Sequence, residues 1–423
     1  MTFVKLYRRW RMKIYFVLGT IWMLSGCDPF SCKSAPTQPG PGSGSDAFAV
    51  NHIAQWDGSK WKSLGNGVSS VENGFASVNA LDYDNGRLYV GGTFDFADAK
   101  EFNSIAFWDG EQWRGFGSAA APGVTNDIFL TPGDVYGMDA DGSGVYVGGV
   151  FNTVHNPVGN GLDYEPLYAD NIAFFSLATS LWDTLGNGTN GTVRAIRIDN
   201  NSVYVGGEFT ATDEVAGTRG IARWNSFSRV WESLGGGVNG EGSVRDILVD
   251  GGMVYIGGDF SNVGSNPAAY NIAMWNGETW VSLGNGPRGV VNKIAKIGTE
   301  IYVAGQFFLE EGFYLFAKWN GESWLYLGES YPHGGGFYQN IGHTVRSYNS
   351  MIATGGHFPV MGEVALNNVA VVNNNVFQEL SGGAYNEMQE EFPAFIAAGS
   401  ERRHICLSAE ILRLSGKRSD VFE

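Results

Sequence analysis

A six-residue phrase, Tyr-Val-Gly-Gly-x-Phe, recurs through this chain, and a second phrase, Asn-Ile-Ala-x-Trp-x-Gly-x-x-Trp-x-x-Leu-Gly, answers it. The first runs Tyr89 to Phe94, Tyr146 to Phe151, Tyr204 to Phe209 and Tyr255 to Phe260, with looser copies at Tyr302 to Phe307 and Ala353 to Phe358. The second begins, with variations, at His52, Ser104, Asn171, Gly220, Asn271, Leu315 and Asn368. Repeats at this period, built from short strand-like pieces, point to a radial all-β architecture.

Each unit reads as four strands. In the unit beginning at Val78 these are Val78 to Tyr83 (a), Arg87 to Phe94 (b), Ser104 to Trp108 (c) and Trp113 to Gly117 (d). Asp84-Asn85-Gly86 joins a to b, and Asp109-Gly110-Glu111-Gln112 joins c to d. Such turns suit hairpins because Gly tolerates the positive φ they demand. Trp56 and Trp61, Trp108 and Trp113, Trp275 and Trp280, and Trp319 and Trp324 share one spacing, kept by Val372 and Phe377. Residues that bracket a tight hairpin face each other across it, so each pair reads as a cross-strand contact of about 0.2–1 kcal/mol. Aromatic stripes also serve as sugar platforms, but recurrence at one structural position favours packing. The Gly-Gly pair reads as close backbone approach near a crowded axis.

Strands a and b appear complete in six places and strands c and d in seven, because the copy at 51–65 has no a/b pair before it. The missing pair is expected near the C-terminus. There Phe392 to Phe395 resembles Val78 to Leu81, and His404 to Ile411 aligns with Arg87 to Phe94. The expected fold is therefore a seven-bladed β-propeller of four-stranded antiparallel blades, its seventh blade closed by N- and C-terminal strands. A six-bladed ring with a separate tail is the alternative.

The chain opens with a basic region (Arg8, Arg9, Arg11, Lys13) and a short apolar run, Ile14 to Leu24. That is the pattern of a secretory signal, too short to span a bilayer comfortably. Leu24-Ser25-Gly26-Cys27 resembles the lipobox of bacterial lipoproteins, which implies lipidation at Cys27; an ordinary cleaved signal is the bland alternative. Met12-Lys13 would itself start a complete signal. Asp28 resembles an inner-membrane retention residue of enteric bacteria. A Gly/Pro/Ser tether then runs to residue 46, with the propeller over 47–411 and a tail over 412–423. Removing residues 1–26 takes away five basic side chains and no acidic one, so the net charge goes from −16 to −21. Such a chain suits neither nucleic acid nor direct docking on anionic lipid. Cys32 and Cys406 are the only other cysteines, and a bridge between them is conceivable.

The repeat phrases resemble the kelch and galactose-oxidase-like propellers, the bacterial delta-60-type repeats and the fungal cortical polarity-marker propellers, over about residues 51–411. That resemblance implies architecture and little else, since propellers host enzymes, lectins and scaffolds alike. The copper site of galactose oxidase needs two Tyr, two His and a Cys cross-link. Cys406 is the only Cys inside a blade, and the six His residues are scattered. Asp139 to Gly144 looks like the start of a calcium loop, but Val150 stands where its last carboxylate belongs, so a hairpin is the preferred reading. No cofactor is expected beyond weak structural calcium.

Long connections occur at 118–134, 152–170, 210–219, 261–270, 308–314 and 329–344. All are b–c or d–a segments, so all should open on one face of the disc, and insertions on one side often mark a binding side. The ligand-binding candidates on them are His155, Asp163, Tyr164, Glu165, Tyr168, Glu310, Glu311, Tyr314, Tyr331, His333, Phe337 and Tyr338. Aromatic rings supply contact area, and the carboxylates bias toward cationic or hydroxyl-rich partners. The expectation is a monomeric, membrane-tethered, extracytoplasmic propeller that binds a protein or glycan through this face and is not an enzyme. The alternatives are a polysaccharide hydrolase or lyase, with Asp163, Glu165, Glu310 or Glu311 as acid and base, and a structural envelope component.

Overall fold

Seven four-stranded sheets organise the chain. The computed structural model describes residues 51–379, except 57–60, 71–75, 127–130, 160–162, 214, 241, 311, 331–340, 349–350, 359, 362–363, 366–368 and 374, together with 404–407 and 412–415. All of these lie in the unit Val50–Glu423, separate from Met1–Ala49. Every regular element among the described residues is a strand. The lipobox, the tether and the Cys32–Cys406 pairing fall outside what is described.

Six sheets follow the order a-b-c-d, antiparallel throughout. The first contains Ser77–Asp84, Arg87–Thr93, Ile105–Trp108 and Trp113–Arg114; the second contains Asp134–Asp141, Gly144–Val150, Ile172–Ser176 and Leu181–Thr184. The third, fourth, fifth and sixth begin at Val193–Asp199, Ser243–Asp250, Gly289–Ile297 and Ile341–Tyr348. The a strands of these successive sheets lie side by side. A further sheet brings together the two ends of the unit: Ile53–Trp56 pairs antiparallel with Trp61–Ser63, meets His404–Leu407 at one position, Ala54 with Leu407, and pairs in parallel with Leu412–Ser415 at three, which departs from the all-antiparallel blade expected. His404–Leu407 touches strand c at one pair, and Leu412–Ser415 takes the larger share of that edge. The fourth member is Leu412–Ser415, a stretch the sequence reading places in the tail. Phe392 to Phe395 lies outside the described residues.

The two repeated phrases lock together through the backbone. In the second repeat Asn171 N–H donates to Phe151 O (2.8 Å) and Gly149 N–H donates to Asn171 O (3.0 Å). The same reciprocal pair joins Ser104 to Phe94 and Gly92, Gly220 to Phe209 and Gly207, and Asn271 to Phe260 and Gly258. The residue that opens the second phrase must turn left-handed to make it, with φ of 64° at Asn171 and 60° at Asn271. Asn and Gly tolerate that conformation best, which explains their recurrence there.

Both glycines of Gly-Gly are required by contact. A Cβ on the first would strike the next sheet's a strand: at Gly206 it would lie 2.6 Å from Val244 Cγ1, and at Gly257 2.5 Å from Val291 Cγ1. A Cβ on the second would strike the carbonyl that begins its own a strand, as at Gly92 against Ser77 O. The fifth repeat carries Ala304 in the first place, and there the facing valine of the sixth sheet is replaced by Gly342. The added methyl is matched by a lost side chain.

The Trp pairs face each other in register: Trp108 with Trp113, Trp275 with Trp280, Trp319 with Trp324, and Val372 with Phe377. Ring centroids lie 5.4–5.6 Å apart in the three Trp–Trp cases. Trp224–Trp231 and Phe175–Trp182 are equivalent pairs across longer turns, at 5.3 and 5.1 Å. The second Trp also latches neighbouring sheets. Its indole N–H donates to the Leu carbonyl that ends the preceding sheet's phrase: Trp113 to Leu64 (2.9 Å), Trp231 to Leu185 (2.8 Å), Trp280 to Leu234 (2.7 Å) and Trp324 to Leu283 (2.8 Å). Trp182 is the exception: Nε1 is buried without a partner, and the carbonyl of Phe116 accepts from Gly123 N–H. Trp280→Phe is therefore expected to cost about 2–4 kcal/mol, since it orphans a buried carbonyl and removes ring volume. Trp182→Phe removes an orphan donor and should cost clearly less; equal losses in chemical denaturation would show that the latch contributes nothing.

Candidate functional site

Among the described residues, most b–c and d–a connections are held by strand pairing or isolated bridges. In the second sheet, residues 152–170 form a hairpin, Thr153–Val158 with Asp163–Tyr168, and Val124–Thr125 from the preceding d–a connection pairs with its first strand. The first sheet repeats this with Val68–Ser69 against Phe96–Ala97 and Lys100–Glu101. The third and fourth do so through single bridges, Thr189 to Thr212 and Val238 to Val263. In the fifth, strands b and c simply continue outward to Phe308 and Phe313. Each pairing joins the b–c connection to the d–a connection of the same sheet, so the two open at the same end. Carboxylates pin the arms down: Asp213 Oδ1 accepts from Asn187 N–H (2.6 Å), and Asp98 from Asn66 N–H. Asn156 exchanges two hydrogen bonds with the backbone of Trp182, at 3.0 and 2.7 Å.

This placement sorts the candidates. His155 is fully buried, its ring edge-on to Tyr164 at 5.0 Å, and neither ring nitrogen has a partner. It supports the arm from within, and burial holds its pKa below the usual value. Tyr164 is half-buried over it, whereas Asp163, Glu165 and Tyr168 are exposed, Tyr168 at 69%. Glu310 is exposed at the tip of the fifth-sheet hairpin, beside Phe308 and Phe313, whose rings meet edge-on at 5.2 Å. Tyr314 is half-buried against Tyr326 at 5.7 Å. Glu311, Tyr331, His333, Phe337 and Tyr338 lie outside the described residues, as does Cys27. Among the described residues the arms therefore leave aromatic rings exposed on three sheets, Tyr168 on the second, Tyr270 on the fourth, and Phe308 with Phe313 on the fifth.

A second polar region lies where the a strands meet. Each of the six carries a bulge at its second common position, where one residue has no cross-strand counterpart: Asn79, Tyr136, Arg194, Arg245, Asn292 and His343. One or three positions further along come Asp82, Asp139, Arg197, Asp246, Lys293 and Arg346, three acids and three bases. Arg197 pairs with Asp139 at 3.4 Å and with Asp246 at 3.9 Å, and Lys293 pairs with Asp246 at 3.2 Å. Asp139 also accepts from Ile198 N–H (2.6 Å), Asp246 from Ile294 N–H (2.8 Å) and Asp82 from Ala140 N–H (2.7 Å), each reaching the next a strand. Burial pushes Asp139 up to about 7, only partly offset by Arg197, with Asp82 adding to the rise. Burial also raises Asp246, but Lys293, Arg197 and Arg346 outweigh it and hold that carboxyl below its usual range. The two differ because Asp246 has two close cations while Asp139 shares one. The hairpin reading of Asp139 to Gly144 agrees with this, as Asp141 Oδ1 accepts from Ser143 N–H (2.8 Å) to close the turn. Sequence reasoning missed the whole region. A polar residue at the same places in six otherwise apolar strands was the available signal.

No protein-family model matches the chain. The polarized growth protein rax2 of Schizosaccharomyces pombe is 31% identical over 135 residues, which is 29% of this chain and 12% of that protein. The chain thus spans only a small part of the curated relative it matches, and the fungal side of the resemblance has a counterpart. Among solved structures, the extracellular domain of the putative one component system BT4673 from B. thetaiotaomicron overlaps with a TM-score of 0.49 at 11% identity, over 81% of this chain and 38% of that one. The computationally designed Ika8 protein gives 0.43 at 14% identity, over 80% and 83%, and YjhT 0.41 at 11%, over 73% and 99%. These overlaps are too loose to argue from, and the fold rests on the strand pairings themselves.

Two pH responses follow. His155 stays neutral in the folded arm while its unfolded counterpart binds a proton near pH 6.5, so acid favours the open arm. Hydrogen exchange over 153–168 should speed up as pH falls below about 6.5 in the native protein and not in His155→Phe; parallel profiles would remove His155 as the cause. Asp139 acts in the opposite sense. Its raised folded pKa costs stability progressively from the unfolded value, 3.8, up to about 7. Asp139→Asn should flatten the melting-temperature profile across that window, and an unchanged slope would contradict the assignment.

Proposed function

We propose that this chain is an exported, membrane-tethered, seven-bladed β-propeller that docks a protein or glycan partner through the end of the molecule carrying its b–c and d–a arms, and catalyses no reaction itself. The observation that carries the reading is the construction of those arms. Connections that could have been slack are tied to the scaffold as paired strands, and they hold the rings of Tyr168, Phe308 and Phe313 and the carboxylates Asp163, Glu165 and Glu310 exposed. Aromatic rings held exposed on tied arms offer a partner contact area at low entropic cost. The neighbouring carboxylates favour cationic or hydroxyl-rich groups on the partner.

Support for the ring comes from the axis. Arg346 in the sixth a strand feels Arg197, Asp246, Asp82 and Asp139, which sit on the third, fourth, first and second. Six strands in a flat row would not bring those charges together. The sheet built from Ile53–Trp56, Trp61–Ser63, His404–Leu407 and Leu412–Ser415, drawn from both ends of the unit, supports the reading of a seventh blade. Export and tethering rest on the basic and apolar leader, Leu24-Ser25-Gly26-Cys27 and the Gly/Pro/Ser spacer. A relative named for polarized growth is in keeping with a role in organising a cell surface.

Affinity capture from detergent-solubilised envelope tests the reading, using the native protein and a Glu165→Lys/Tyr168→Ala double variant of unchanged melting temperature. A partner held by the first and weakened about tenfold or more in the second is expected. Retention of nothing by either protein, or equal retention by both, would sink the docking role at this arm. Turnover of any polysaccharide by the purified protein would replace the non-enzymatic reading with the hydrolase one.

A further inference from the structure

The six bulged residues form a set that folding alone does not explain. A bulge adds a residue that the ladder does not pair, and its common use is to re-aim a side chain. Here the same bulge recurs at one register of every a strand described in the first six sheets, always on a polar residue, and the six identities are Asn79, Tyr136, Arg194, Arg245, Asn292 and His343. The frame around them repeats closely while they do not. All six side chains are half-buried, so they border solvent rather than fill the core. They lie near the start of each a strand, the end at which the d–a connections enter.

The set is held in place by its neighbours. Asn79 donates to Val135 O (3.2 Å), Arg245 to Asn292 Oδ1 (2.9 Å) and Asn292 to Gly342 O (3.0 Å), each reaching the following a strand. The Arg194 guanidinium stacks on Tyr136 at 5.2 Å and is paired with Glu208 at 2.7 Å. Asp134 accepts from Thr93 Oγ1 (2.6 Å) and from Tyr136 Oη (3.4 Å). Below them lies the ionic layer of Asp82, Asp139, Arg197, Asp246, Lys293 and Arg346. The result is a pre-arranged polar rim over a charged floor, with one guanidinium edge, Arg245 Nε, left without a partner.

The charge balance decides what would sit there. Asp134 accepts from Tyr136, Glu208 pairs with Arg194, and Asp259 faces Ser243 across the ladder two residues before the Arg245 bulge, so three carboxylates accompany two guanidiniums, Arg194 and Arg245. A free anion would meet more negative than positive charge. A cation would meet two fixed arginines. A neutral ligand whose groups both donate and accept can use amide, carboxylate and guanidinium together, and can lay an apolar face on the Tyr136 ring. We propose that the bulged residues of the a strands form a binding site for a neutral, hydroxyl-rich ligand, a short saccharide, distinct from the exposed aromatic groups on the arms. The site stands or falls separately from docking at the arms.

The experiment is an array of neutral and uronic-acid oligosaccharides read with the detergent-solubilised full chain, followed by calorimetric titration of the strongest neutral binder. Tyr136→Ala and Arg245→Met should each weaken that binder about tenfold or more, and Glu165→Lys/Tyr168→Ala should leave it unchanged. If Arg245→Met fails to fold, Asn79→Ala takes its place beside Tyr136→Ala. Binding of acidic saccharides alone, binding of none, binding indifferent to the bulge variants, or binding lost only with the arm variant would each overturn the proposal.

Discussion

The seating of each innermost strand against the next depends on a missing side chain. The first glycine of Gly-Gly leaves the space that the following sheet's valine and isoleucine fill, as Val244 and Ile247 do over Gly206. A single methyl there would fall well inside contact distance, and well-packed interiors relieve such overlap only by shifting backbone. The pairing of Ala304 with Gly342 shows that the constraint lies in the sum of the two positions rather than in glycine itself. Everything further out inherits this spacing: the reciprocal backbone bonds between the two phrases, the stacked Trp pairs, and the indole latch onto the preceding sheet.

What the sequence makes legible is what is local. Asp84-Asn85-Gly86 and Asp109-Gly110-Glu111-Gln112 are turns because their own residues demand it, with φ of 48° at Asn85 and 83° at Gly86. The Trp pairs at constant spacing face each other because a short hairpin leaves no other option. Trp224 and Trp231 make the same contact across a longer turn, and a rule based on spacing passes over them. The arms are illegible for another reason. Val124 finds Val154 and Thr125 finds Thr153 across a whole intervening hairpin, and nothing in 118–134 or 152–170 alone announces the partner. His155 reads as a polar loop residue until its strand places it beneath Tyr164.

The bulged positions were hidden by their own variety. Motif reading rewards sameness, and Asn79, Tyr136, Arg194, Arg245, Asn292 and His343 share only polarity and register. The frame can stay nearly constant because these residues sit outside its pairing pattern. The second glycine accommodates the displaced backbone at the start of the a strand, and the valine before the bulge keeps its place in the core. Substitution at the extra residue therefore changes the rim and, at Asn79, Arg245 and Asn292, one side-chain bond to the next a strand, while the paired ladder and its apolar contacts stay as they are.

The buried charges below the rim obey a different logic. Replacing one member would leave its partner as an uncompensated buried charge, a cost of roughly 3–5 kcal/mol, whereas apolar residues of equal volume throughout would cost little or nothing. The network is therefore a poor explanation of stability and a good one of specificity. Charges of opposite sign alternate from the second to the fifth a strand and reward one order of those sheets, since Arg197 must lie between Asp139 and Asp246 and Lys293 must follow Asp246. Repeats as alike as these could slide past one another by a whole unit with their apolar contacts intact. The buried charges distinguish one register from the rest, and by favouring it they favour one set of side chains at the bulges.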